Sequence, residues 1–235
     1  MTVEPGEAAR LGRRRPVDSE AYVAYLQARK AWLSRSAEGF ALARRHFATA
    51  LSRDPSFAPA HAGLAICRGL EANRLLVPAD EAYSEARREA ERALALDPDL
   101  AEAHAALALV LGSYHPDFES SNRELRRAIE LEPSNPNYRM WLGQLLVVET
   151  DLAGGIRELE ATLRLDPLFT VALNSLSEFL RFAGHHERAL RIKSARAALK
   201  RVDPRVDACP RQDGRRREFA DLARAGARGG RAGHP

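Results

Sequence analysis

The sequence predicts an all-α protein made of stacked helical hairpins, and two patterns carry this prediction. Between recurring breaks, apolar residues return every three or four positions, as in Ala103, Leu107 and Leu111, which is typical of a helix face and not of a strand. An apolar helical stretch followed by an acidic residue and proline also recurs five times. The prolines are Pro55, Pro98, Pro133, Pro167 and Pro204, at intervals of 43, 35, 34 and 37 residues.

The acid-proline pair is a physical terminator. Proline lacks an N–H group and disfavours the helical conformation in the residue before it, so the pair ends one helix, and the same two residues can begin the next. An ordinary helical bundle would share the apolar period, but it does not require one terminator to return at near-constant spacing. The spacing therefore favours a repeat architecture over a bundle.

Taken in order, the terminators predict five repeats within a folded unit at 18–204. Short polar breaks, such as Thr150-Asp151 and Ala183-Gly184-His185, divide each repeat into two helices. The second repeat follows the longest interval and is expected to carry an insertion. The predicted repeats are approximately 20–55, 58–98, 101–133, 136–167 and 170–204.

Composition and charge narrow the class of protein. The chain has 235 residues, 45% of them hydrophobic and 29% charged, which is typical of a soluble globular or repeat protein. No segment has the roughly 18 uncharged apolar residues of a membrane helix, and the first residues lack the apolar run of a secretory signal. The two cysteines have no partner at disulfide or zinc spacing. We therefore expect a cytoplasmic protein without a membrane partner.

The formal net charge of +4 lies in the ends of the chain. The body at 18–204 holds 24 basic and 26 acidic residues, whereas 205–235 holds eight arginines and four acidic residues. The N-terminal segment at 1–17 is also basic. A basic binding face on the folded part is therefore not indicated.

Within the fourth repeat the residues resemble the tetratricopeptide-repeat (TPR) family, whose period is about 34 residues. The resemblance covers roughly 20–204 and implies a right-handed superhelix of helical hairpins that binds a partner and is not an enzyme. The residues that follow the family's spacing are Leu142-Gly143, Leu146, Gly155, Leu159, Thr162 and Pro167.

The body also resembles one subgroup, the TPR arrays attached to bacterial winged-helix transcriptional regulators, adenylate cyclases and serine/threonine kinases. Only about 17 residues precede the first repeat, so the regulator, cyclase or kinase domain is expected to be absent. The resemblance implies a sensory or partner-binding module. Its local matches are Ala21-Tyr22 to Ala28-Arg29, Ser36 to Gly39, Ala58 to Ala65, Leu76 to Tyr83 and Ala101 to Ala108.

A protein or peptide partner is expected on the concave wall, which the first helix of each hairpin lines in such solenoids. Projecting the helical period onto these helices gives the residues that are not needed for packing. They include amide, charged and large apolar side chains, which together suit the binding of an extended peptide. The absence of lysine at 136–148 and 170–182 argues against a clamp for a C-terminal carboxylate. The predicted groove residues are Tyr22, Tyr25, Arg29, Trp32, Glu102, Asn137, Met140, Gln144, Asn174, Glu178, Arg181 and Phe182.

No catalytic, cofactor or metal site is predicted. His61 and His104 occupy equivalent places in successive repeats, but they lack carboxylate or thiol partners at ligand spacing in the sequence. His185-His186-Glu187 lacks the second histidine of a zincin, and no phosphate loop or nucleophile elbow appears. Glu89 and Glu91 are expected to form helix-surface ion pairs with Arg87 or Arg92, and Cys67 to pack as a small hydrophobe.

The ends of the chain suggest two further interactions. The Arg- and Gly-rich tail at 205–235 is expected to be largely disordered, as is 1–17, and an alternative function is regulation through arginine-rich contacts with nucleic acid. Within the tail, 216–225 has an amphipathic pattern that can cap the solenoid. The degenerate last helix around Ile192 to Leu199 suggests self-association through terminal repeats.

Overall fold

The computed structural model describes residues 18–202, apart from residues 33, 35 and 115. In this part the chain forms helices and no strand, and each helix packs mainly on its sequence neighbours and on the next hairpin. The predicted all-α stack of helical hairpins is confirmed. The helices are α1 Ser19–Trp32, α2 Ala37–Arg53, α3 Ala58–Asn73, α4 Ala79–Leu96, α5 Ala101–Ser113, α6 Phe118–Leu131, α7 Pro136–Val148, α8 Leu152–Leu165, α9 Thr170–Phe182 and α10 His186–Val202.

The acid-proline pairs end the second helix of successive hairpins as the sequence predicts. Helix α2 ends at Arg53, and Asp54 takes an extended conformation (φ −133°, ψ 92°) before its proline. The Asp54 Oδ1 atom then accepts a hydrogen bond from the N–H group of Ser56 at 3.0 Å, which fixes the turn. Helices α4, α6 and α8 end in the same way, one residue before the acid. The fifth pair lies outside the described residues.

The turn inside a hairpin uses a left-handed residue. Gly184 has φ 81° between α9 and α10, and Thr150 has φ 72° at the equivalent place between α7 and α8. Each turn is closed by a backbone hydrogen bond of 2.8 Å, from His185 N–H to the Leu180 carbonyl and from Asp151 N–H to the Leu146 carbonyl. This is the bonding of a helix C-cap, which glycine adopts with least strain.

Small residues let the paired helices approach closely. A Cβ atom on Gly143 would lie 3.0 Å from the carbonyl oxygen of Gly155, and one on Gly155 would lie 2.7 Å from that of Gly143. Helices α7 and α8 therefore touch backbone to backbone. The alanines expected at such contacts are all buried, namely Ala43, Ala86, Ala93, Ala128 and Ala189.

A charged cluster lies between α3 and α4 of the second hairpin and α2 of the first. The guanidinium of Arg68 binds Glu85 at 2.6 Å and Glu71 at 2.9 Å, and Arg44 of α2 approaches Glu71 at 3.2 Å. Arg68 and Glu71 are each about 4% exposed. The cluster joins α2, α3 and α4, and each buried charge has a partner of opposite sign.

Candidate functional site

A cavity of about 170 Å³ lies among the first helices of three successive hairpins. Residues of α3, α5, α6 and α7 line it. Its lining residues are Asn73, Ala108, Leu109, Gly112, Ser113, Ser121, Leu125, Trp141, Gln144, Leu145 and Val148. We call it the central pocket.

The central pocket sits where three helices end. Its lining includes the last residue of α3, α5 and α7, which are Asn73, Ser113 and Val148. The C-terminus of a helix carries a partial negative charge from its aligned peptide dipoles. The three ends together therefore give the pocket a negative electrostatic bias, although no charged side chain lines it.

The pocket walls are apolar. Leu109, Trp141, Leu145 and Val148 supply large side chains, and Val148 is 59% exposed at the edge. Gly112 of α5 faces both α6 and α7. A Cβ atom added to it would lie 2.9 Å from Ser121 Oγ on α6 and 3.5 Å from Leu145 Cδ1 on α7. The absence of a side chain at this glycine therefore keeps the wall open.

Amide side chains form the polar part of the rim. Gln144 donates from Nε2 to Ser175 Oγ at 3.1 Å, which links α7 to α9. The Asn73 Oδ1 atom accepts a hydrogen bond from the Tyr83 hydroxyl. Both amides keep other polar atoms that suit the donors and acceptors of an extended backbone.

Of the twelve predicted groove residues, only Gln144 lines the central pocket. Three of them are packed in the core, and the expectation that they are free of packing is wrong. Trp32 is 9% exposed, Tyr25 6% and Met140 1%. Tyr25 packs against the rings of Phe47 and Phe57, and the helices on either side of α7 bury Met140. The sequence prediction missed the lining residues Gly112 and Ser113. Helical periodicity selects large side chains on one face, and it gives no signal for a glycine or for the last residue of a helix.

A polar cluster occupies the N-terminal part of the same face. The Tyr25 hydroxyl donates to the Glu102 carboxylate at 3.3 Å and accepts from Arg29 at 3.1 Å. Burial raises the pKa of Glu102, and the nearby Arg29 guanidinium only partly offsets it. The Tyr25 hydroxyl therefore links Arg29 and Glu102 and joins the first hairpin to the third, since α1 carries Tyr25 and α5 carries Glu102.

The remaining predicted residues lie on exposed or half-exposed surface. On α9, Asn174, Glu178, Arg181 and Phe182 are exposed, and the Arg181 guanidinium lies 4.8 Å from the Phe182 ring centroid. Tyr22 on α1 is 49% exposed. Asn137 is half-buried, and its backbone N–H donates to the Asn135 side chain at the start of α7.

His61 has a carboxylate partner 28 residues away, which sequence spacing did not reveal. Its Nδ1 atom lies 2.6 Å from Glu89 Oε2, and its Nε2 atom lies 3.0 Å from the Pro55 carbonyl oxygen. Both partners are acceptors, so the doubly protonated ring makes both bonds. Burial opposes this charged form, but the bonds to Glu89 and Pro55 outweigh it and raise the pKa of His61. Glu89 therefore binds His61, whereas the predicted surface pair is formed by Glu91 and Arg87.

The next two hairpins repeat this pairing. His104 lies 2.6 Å from Glu124, which is 20 residues away, and 2.9 Å from the Pro98 carbonyl oxygen. In the fourth hairpin Arg139 takes the equivalent place and binds Glu158 at 3.1 Å. Each histidine or arginine stands six residues after one turn proline, and each glutamate nine residues before the next. The sequence period thus encodes a His–Glu or Arg–Glu pair inside each of the three hairpins.

Within 18–202, apart from the three gaps, no group of three or more His, Cys, Asp and Glu side chains is placed to hold a metal ion. No helix of that part is both long and apolar enough to span a bilayer.

Solved structures with the same arrangement of hairpins identify the fold. PilF of Pseudomonas aeruginosa is 21% identical over 88% of this chain and 89% of its own, with a TM-score of 0.56. A TPR protein of Thermus thermophilus is 16% identical over 74% and 86%, with a TM-score of 0.54. This chain has the TPR fold. MamA of Desulfovibrio magneticus matches this TPR chain at 16% identity over 80% and 99%, with a TM-score of 0.52.

Sequence comparison adds no narrower assignment to this TPR chain. No family model and no curated protein matches the sequence. The resemblance to arrays attached to bacterial regulators, cyclases and kinases therefore stays a prediction, and so does the division into domains at 17 and 204.

Proposed function

We propose that this TPR chain is an interaction scaffold that holds an extended segment of a partner protein along its first helices. The observation that carries the proposal is the central pocket, which is apolar inside and has amide groups at its rim. A dry cavity of about 150 Å³ accepts a benzene ring. A cavity of about 170 Å³ is thus the size of one side chain and smaller than a typical small-molecule site.

The rest of the peptide would lie across α7 and α9. Gln144 at the pocket rim binds Ser175, and the exposed side chains Asn174, Glu178 and Arg181 continue the same surface on α9. This arrangement supports a binding mode in which one buried side chain anchors the segment and polar side chains fix its backbone. The expectation of a cytoplasmic protein is kept as part of this proposal.

The test is to select peptides on the full chain from a random display library and to measure their affinities for variants. Val148→Lys changes an exposed residue at the pocket edge, and Gln144→Ala removes a rim amide. Both should weaken binding, as should replacing Asn174, Glu178 and Arg181 together by alanine. Leu165→Lys on α8 is the matched control, because Leu165 is 44% exposed and lies outside the pocket. Equal affinities for all variants would refute the groove as the binding surface.

The alternative function, contact with nucleic acid through the arginine-rich ends, concerns 1–17 and 205–235, which lie outside the described residues. It stays a prediction. Self-association through terminal repeats has some support in exposed apolar side chains at both ends of the described stack. These are Val23 and Leu26 on α1 and Leu190 on α10.

A further inference from the structure

The surroundings of the central pocket favour a basic occupant. The loops that follow α5 and α7 carry Asp117, Glu149 and Asp151, and Glu149 accepts a hydrogen bond from Asn122, the neighbour of a pocket residue. Three helix C-termini add negative partial charge. Two cations stand directly beside lining residues, Arg74 after Asn73 and Arg126 after Leu125. The three acidic side chains and the helix C-termini exceed these two cations, so an apolar side chain in a segment of net positive charge complements the pocket and its rim.

The chain itself contains such a segment. Among residues 205–235 the large apolar residues are Val206, Phe219 and Leu222. Phe219 stands between Arg215-Arg216-Arg217 and Arg224, with Glu218 and Asp221 beside it, so the four arginines and two acidic residues of 215–224 give a net charge of +2. One phenylalanine ring matches the size of the cavity, since a benzene ring fits in about 150 Å³. The tail thus combines the apolar group and the positive charge that the pocket and its rim select.

The connection is long enough to reach. The 17 residues from Val202 to Phe219 span at most about 58 Å when extended. Helix α10 is about 25 Å long, and α7 is two packed helices away from it, which adds about 20 Å. The distance to be covered is therefore about 45 Å at most, and an attached segment of this kind reaches effective concentrations of about a millimolar.

We propose that the segment Arg215–Arg224 of this chain docks on the first helices with the Phe219 ring in the central pocket. This inference rests on the peptide-binding role proposed above. The tail is then an internal competitor, and a partner peptide binds only when it displaces Phe219. The intrinsic affinity of the pocket is reduced by the fraction of molecules in which the tail is bound.

The test uses the full chain labelled with ¹⁵N and compares wild type with Phe219→Ser. The indole N–H signal of Trp141 and the side-chain amide signals of Gln144 report on the pocket. Both should move in Phe219→Ser, whereas the indole signal of Trp32, which is buried in α1, should not. Val206→Ser is the matched control in the tail and should leave all three signals unchanged. Unchanged Trp141 and Gln144 signals in Phe219→Ser would overturn the inference.

A synthetic peptide of residues 213–226 tests the charge requirement. Added to the Phe219→Ser chain, it should restore the wild-type Trp141 signal. It should bind Val148→Lys about twofold to fivefold more weakly than wild type and more weakly still than Val148→Glu, because each single charge near a helix end has an effect of about this size and the two variants add charges of opposite sign. Failure of the peptide to restore the signal, or equal affinity for the two variants, would count against the inference.

Peptides selected from the library separate this inference from the proposed function. If a selected peptide shifts the Trp141 signal with the same affinity in wild type and in Phe219→Ser, the pocket binds partners and the tail does not occupy it. If neither the tail peptide nor any selected peptide shifts the Trp141 signal, the proposed function fails as well. Tighter binding to Phe219→Ser than to wild type supports both.

Discussion

His61 is the residue whose protonation bears most directly on stability. Its raised pKa means that the folded state binds the proton more tightly than the unfolded state, where the pKa is about 6.5. The stabilisation is therefore complete below about pH 6.5 and is lost as the pH rises through the raised folded value. Beside Glu89, the Arg92 guanidinium opposes the charged ring. The measurement is urea unfolding of wild type and His61→Gln at about pH 5.5 and about pH 8.5.

The stability difference between these two proteins should be larger at the lower pH. Arg139→Gln provides the control, because Arg139 forms the equivalent pair with Glu158 and its guanidinium does not titrate in this range. Its effect should be nearly the same at both values. A His61→Gln effect that grows with pH would contradict the assignment of a charged imidazole.

Arg68 provides a second test at the level of single residues. Replacing it by methionine leaves Glu71 and Glu85 without their common partner, and breaking a buried pair in this way costs about 3–5 kcal/mol of unfolding free energy. Arg87→Met should change it by less than about 1 kcal/mol, because the Arg87–Glu91 pair is exposed. Chemical unfolding of both variants measures the contrast, and equal losses would argue against a tightly coupled cluster.

Among the elements, the turn between α7 and α8 is the most easily improved. Thr150 is β-branched and has φ 72°, a conformation that strains such residues, whereas Gly184 occupies the equivalent turn without strain. Thr150→Gly should raise the unfolding free energy by about 1 kcal/mol. Thermal unfolding gives the answer, and Gly184→Ala is the opposite control, expected to lower the free energy by a similar amount. A Thr150→Gly protein less stable than wild type would show that the threonine side chain has a separate role.

The helices were predictable because residues close in sequence determine where each helix ends. Proline and an acidic residue end α2, α4, α6 and α8 whatever the rest of the fold does, so the spacing of these pairs was sufficient. The split of the fourth hairpin at Thr150-Asp151 was likewise visible, since Asp151 caps α8 with a 2.7 Å bond to Gly154 N–H.

The groove was predicted less well because its residues depend on contacts between hairpins. Periodicity placed Met140 on the concave wall, among residues not needed for packing, but it is buried to 1% exposure. It could not show that α3, α5 and α7 end together, which is what brings Asn73 and Ser113 into one pocket. Nor did it reveal the partners of His61 and His104, which lie 28 and 20 residues away.

For the whole molecule, the stack predicts a gradient of local stability. Helix α5 packs on α3, α4, α6 and α7, whereas in the described part α10 packs mainly on α9. In a linear array, an end unit lacks one of its two interfaces and opens more readily. Hydrogen exchange should therefore be slowest in α5 and fastest in α10. Uniform protection along the stack would mean that the hairpins unfold as one unit.

The reactivity of the Cys67 thiol can report how often α3 opens. It is fully buried, and burial, with Glu71 nearby, raises its pKa to about 12. The thiolate is the form that reacts with alkylating reagents and peroxide, so Cys67 in the folded chain should resist both at neutral pH. The rate at which this sulfur is modified, measured by mass spectrometry, then reports how often α3 separates from its neighbours. Its rate in the presence and absence of a bound peptide would report, without any added probe, whether ligands tighten the stack.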